Sequence, residues 1–146
     1  MIESLLARPY WVIDILPSQV PENRAAQYSA FEQFCLKEPA YSGLLRRHAM
    51  LLLKLSCWYD IQACFADEDT LITDLPPDRL VSLVTESGRD LCFVLPEQKV
   101  LITLNRGDTY MTVYNPRKKL LHMLEQLALS EQLFIWQPPQ EGSAEK

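Results

Sequence analysis

Hydrophobic positions along the chain change their period several times, and each change predicts an element. Tyr10 to Leu16 (YWVIDIL) is rich in β-branched and aromatic residues and is bounded by Pro9 and Pro17. It predicts a strand with Trp11, Ile13 and Ile15 on one face and Val12, Asp14 and Leu16 on the other. Pro17 to Pro21 reads as a loop. From about Arg24 to Lys37, Ala26, Tyr28, Phe31, Phe34, Cys35 and Leu36 fall mostly at three- and four-residue spacings, which predicts an amphipathic helix stopped by Pro39. A second helix is expected from about Tyr41 to Trp58. Leu44, Leu45, Ala49, Leu51, Leu52, Leu53 and Leu55 cover more than half of it, as on a central helix. Tyr59 to Phe65 alternates like a strand. Pro76-Pro77-Asp78 then opens a short helix that Gly88 is placed to stop.

The clearest pattern runs from Leu91 to Tyr114. Three β-rich runs, Leu91 to Leu95, Lys99 to Leu104 and Thr109 to Tyr114, are separated by Pro96-Glu97-Gln98 and Asn105-Arg106-Gly107-Asp108, the signature of an antiparallel meander. A two-residue loop at Arg106-Gly107 would pair Ile102 with Met111, Val100 with Val113, Thr103 with Tyr110 and Leu101 with Thr112. A three-residue loop with Gly107 left-handed would shift that pairing by one. Asn115-Pro116 has the form of an N-cap followed by proline at the first helical position. It predicts a helix to about Ser130, with Leu120, Leu121, Leu124, Leu127 and Ala128 as its stripe. Leu133 to Trp136 is a last strand.

The resulting order, β-α-α-β-α-β-β-β-α-β, predicts an α+β fold with a mostly antiparallel sheet of about five or six strands and helices packed on one face. Residues 1–137 are expected to form a single domain and residues 138–146 a disordered polar tail. A chain of 146 residues, 48% apolar and 23% charged, is long enough to bury a core of its own.

Charge and cysteine content then narrow the partners. A net charge of −5 repels phosphate backbones and anionic membrane surfaces, which argues against nucleic acid. Between Asp60 and Asp78 lie Asp60, Asp67, Glu68, Asp69, Asp74 and Asp78 with no Lys or Arg, so this segment is the negative pole. No run approaches the roughly 20 apolar residues of a membrane helix, and Met1 to Tyr10 lacks the apolar centre of a signal peptide. Cys35, Cys57, Cys64 and Cys92 form no CxxC pair and read as free thiols, which places the protein in the cytoplasm.

No stretch carries a catalytic, metal or cofactor signature, and no metal or cofactor is expected. Two features stand out. Arg117, Lys118 and Lys119 crowd the first turn after Asn115, where the helix dipole disfavours cations. Together with free amides they could receive a phosphate or carboxylate, although long side chains can equally splay into water. The second feature is the strand face carrying Leu101, Thr103, Tyr110, Thr112 and Tyr114, which has the composition of an interface if no helix covers it.

Other residues carry weaker signals. Asp14 inside an apolar strand suggests either a buried carboxyl with a raised pKa or an edge-strand charge that blocks sheet-to-sheet pairing, and the second reading is preferred. His48 and His122 are expected on helices, away from the leucine stripe or at its margin. A zinc set of His48, Cys57 and Cys64 matches no familiar spacing. Arg106-Gly107-Asp108 is hairpin chemistry. The sequence thus predicts a small cytoplasmic protein-interaction or regulatory module, with a protein partner or self-association through the sheet face. The alternative is a binding module or small enzyme for an anionic small molecule at the basic start of the last helix.

Overall fold

The computed structural model describes residues 2–139, so most of the expected polar tail lies outside the described residues. The elements run α1 (Ile2–Leu5), β1 (Tyr10–Asp14), α2 (Ala25–Cys35), α3 (Ala40–Leu55), β2 (Gln62–Phe65), α4 (Pro77–Glu86), β3 (Leu91–Leu95), β4 (Val100–Leu104), β5 (Met111–Tyr114), α5 (Lys118–Ser130) and β6 (Phe134–Trp136). All six strands form one sheet in the order β2-β3-β4-β5-β1-β6, and every neighbouring pair is antiparallel. The fold is α+β.

Alternation assigns the two faces of the sheet. Ile13, Ala63, Phe93, Leu95, Val100, Ile102, Met111 and Val113 point one way and are buried against α3, α4 and α5 through Leu51, Leu52, Leu55, Leu80, Val84, Leu120 and Leu124. This is the main core, and it holds the leucines expected of a central helix in α3. The other face is covered differently. The four-residue α1, too short to leave a periodic signal, lays Leu5 over Cys64, Cys92, Val94 and Leu101.

Three local expectations are corrected. Ile102 pairs with Val113, Thr103 with Thr112 and Leu101 with Tyr114, two places along β5 from the register expected for a two-residue turn. The loop is longer because Thr109 is drawn out of the ladder, its carbonyl accepting from His48 Nε2 at 3.1 Å. A slip of two leaves each side chain on its expected face.

Helix α5 begins at Lys118, with Arg117 in the cap position and no capping side chain. Asn115 instead adopts φ 68°, gives its N–H to Pro9 O at 2.8 Å and its side-chain amide to Lys99 O at 2.9 Å, and so closes the sheet rather than opening the helix. Helix α2 forms, but its aromatic row is not a core stripe: Phe31 is 38% exposed and Phe34 69% exposed.

Tertiary contact also partners charges that look free in the sequence. Arg89, at the entry to β3, donates to Asp67 Oδ1 at 2.7 Å and to Glu68 Oε2 at 2.8 Å while its guanidinium lies 3.7 Å from the centre of the Phe65 ring. Two acids of the negative pole therefore have their counter-ion.

Candidate functional site

The face not packed on α3, α4 and α5 divides into two parts. On the β2-β3 side it is sealed by α1, and Leu101 is 0% exposed. On the β5-β1-β6 side it is the floor of an open cavity of about 640 Å³, within the size range of small-ligand sites. Tyr10, Val12 and Asp14 of β1, Thr112 and Tyr114 of β5 and Trp136 of β6 line it from the sheet. Leu6, the Leu16 to Glu22 segment and Tyr28 of α2 form its walls. Pro17 and Pro21, which have no N–H to give to a ladder, keep that segment out of the sheet.

Asp14 is the polar centre of this floor. It is only 4% exposed, and its Oδ1 accepts the N–H of Ile15 at 2.7 Å. Burial pushes its pKa up, against the pull of the Ile15 and Leu16 amides, and Glu32 adds to the rise. The expectation that Asp14 guards an edge is overturned. β6 pairs outside β1, so β1 is an interior strand and the carboxyl faces a cavity instead of solvent beyond an edge.

The phenols around it share its surroundings. Tyr28 is pushed up to about 12 by burial and then by Glu32 and Asp14, and its hydroxyl donates to Glu32 Oε2 at 3.2 Å. Tyr110 is raised by burial, then by Asp108, Glu32 and Asp14. Tyr10 and Tyr114, opposite each other on neighbouring strands, place their ring centres 5.6 Å apart at a tilt of 44°. The Trp136 indole N–H is buried without a hydrogen-bond partner among the described residues. These groups can donate and accept hydrogen bonds and present π faces, and Asp14 can also exchange a proton.

Of the five residues proposed as an interface, Thr103, Tyr110, Thr112 and Tyr114 line this cavity, whereas Leu101 lies under α1. The face is concave, not flat. Sequence reasoning missed Tyr28 and Trp136, which reach the cavity only through tertiary folding. It did see Asp14 as anomalous, and the anomaly was the usable signal.

The anion-site residues are not gathered into a pocket. Arg117, Lys118 and Lys119 are exposed, and the side chain of Asn115 is committed to Lys99 O.

The histidines and cysteines are dispersed. His48 is fully buried on the core side, its Nδ1 without a partner, and burial pulls its pKa down to about 4. The helical wheel had placed it at the margin of the stripe or beyond. What buries it is the neighbouring β4-β5 loop, whose Thr109 carbonyl it caps. Cys57 is exposed, and Cys64 lies across from Cys92 on the opposite face, so His48, Cys57 and Cys64 do not converge. Among the described residues no three His, Cys, Asp or Glu side chains gather as metal ligands. No helix among them is long and apolar enough to cross a membrane.

Compared with known proteins, the chain matches no family model, no curated protein and no solved structure.

Proposed function

We propose that the protein is a recognition module that captures its target on the concave, tyrosine-bearing face of its sheet. The observation that carries this reading is the cavity of about 640 Å³ whose floor is made of regular strands. Side chains on paired strands are held at fixed spacing, so a site built on them is preorganised and loses little entropy on binding. Tyrosines suit such a role because they offer a large rigid surface with a polar tip.

The test is cavity filling. A panel of fragment-sized probes, cationic, neutral and anionic, is screened by ligand-observed NMR against the wild-type chain and against Thr112→Trp, which puts an indole on the cavity floor. Probes that bind the wild type and are lost in a folded Thr112→Trp support the reading. If Thr112→Trp binds every hit as well as the wild type does, recognition lies elsewhere.

A second reading has its own observation. Phe34 is 69% exposed and Phe31 38% exposed on α2, the helix that also supplies Tyr28, and such a row favours a protein partner or self-association. Sedimentation of wild type and Phe34→Glu across a concentration series tests the self-association arm, and identical monomeric behaviour of both would remove it.

A further inference from the structure

We propose that the cavity takes an organic cation, an amine or quaternary ammonium group seated against Asp14 and ringed by tyrosine faces. The inference rests on reading this cavity as the recognition site, and adds the charge class of what it holds.

Three independent features point the same way. First, among the described residues the lining is of one sign: Asp14 and Glu22 are its only ionisable side chains besides the tyrosines, with no Lys, Arg or His. The chain has 14 Lys and Arg, yet none of those among the described residues lines this wall. Second, Asp14 has no cationic partner among the described residues. The chain pairs Lys54 with Glu131 and Arg89 with Asp67 and Glu68, and among the described residues no basic side chain reaches Asp14. A buried carboxylate normally has a charge partner, because an unpaired charge taken out of water is strongly disfavoured. Third, Tyr10, Tyr28, Tyr110, Tyr114 and Trp136 all line the same space, and the electron-rich faces of such rings attract ammonium groups, most strongly when water is excluded.

The electrostatics agree. Asp14, Tyr28, Tyr110 and the neighbouring Asp108 are all shifted toward their neutral forms, by burial first and then by one another or by Glu32. Each would be relieved by a positive charge in the cavity and aggravated by a negative one. An anionic ligand here would meet acidic groups and no basic side chain among the described residues.

The test uses the full chain and three probes of nearly one shape: choline, its uncharged isostere 3,3-dimethylbutan-1-ol, and 3,3-dimethylbutyrate as the anion. Affinities are measured by NMR titration. We expect choline to bind at least tenfold more tightly than the alcohol, the carboxylate not to bind, and Asp14→Asn to weaken choline about tenfold. Glu22→Gln, at the exposed rim, should weaken it about twofold to threefold and keeps the test decisive if Asp14→Asn does not fold. A short peptide bearing one trimethyllysine carries the same headgroup. Tighter binding of that peptide than of choline assigns the cation to a protein side chain, and the reverse to a free metabolite.

Equal affinity for choline and the alcohol, both lost in Thr112→Trp, would overturn the charge assignment while leaving the cavity as a binding site. No binding of any probe, here or in the fragment panel, would remove the site reading itself. A folded Asp14→Asn that holds choline as tightly as wild type would also overturn the proposal.

Discussion

Lowering the pH from 7 to 5 is expected to destabilise the protein through His48, and the size of the effect follows from its surroundings. In the unfolded chain this imidazole titrates at the ordinary 6.5, whereas in the fold burial holds it near 4. Its neutral ring donates Nε2–H to Thr109 O at 3.1 Å, and the nearby Arg47 further disfavours a second proton. Because the folded pKa lies below the unfolded one, acid favours the unfolded chain. The stabilising contribution is complete above 6.5 and is lost as pH falls toward 4.

The distance between 6.5 and about 4 is worth roughly 3 kcal/mol at full expression. About 2 kcal/mol of that is gone by pH 5, which should lower Tm by roughly 5–8 °C for a chain of this size. Asp14 acts with the opposite sign: its raised pKa gives stability that is present at low pH and lost as pH rises. The clean measurement is therefore a difference. Thermal unfolding of wild type and His48→Gln, each at both pH values, cancels terms common to the two proteins. The glutamine variant should be less stable at pH 7 and lose clearly less on acidification. If both proteins lose the same number of degrees, His48 is not a buried neutral histidine and the packing of Thr109 against α3 is wrong.

Further outcomes follow from the two faces of the sheet. Leu101→Ala should cost roughly 2–4 kcal/mol in denaturant unfolding, since the side chain is sealed under α1; a change under about 0.5 kcal/mol would mean an exposed leucine. A thiol reagent added to the native protein should modify Cys57 rapidly and Cys35, Cys64 and Cys92 only on unfolding, because the latter three are buried and raised in pKa, Cys92 to about 11. Peptide mapping after a short pulse checks this, and early modification of Cys64 or Cys92 would show that α1 does not cover them.

The sequence by itself determined the longer helices and the strands, though not the four-residue α1, and which strand side chains share a face. These are consequences of chain geometry: period two in strands and near 3.6 in helices. That is why Leu101, Thr103, Thr112 and Tyr114 share a face although the register differs by two residues from the one expected. Proline and glycine likewise marked the ends of α4 within a residue or two, since their effect is local.

Tertiary structure decided whatever depended on neighbours distant in the chain. Only the arrival of β6 makes β1 interior and puts Asp14 in a cavity. Only the β4-β5 loop buries His48, and only Arg89 neutralises Asp67 and Glu68. Burial and electrostatic partnership are properties of pairs brought together from 21 to 124 residues apart, and hydrophobic period carries no record of them. The chain wrote the two sides of its sheet into its alternation, while strand order and the long-range contacts chose which side would close and which would stay open.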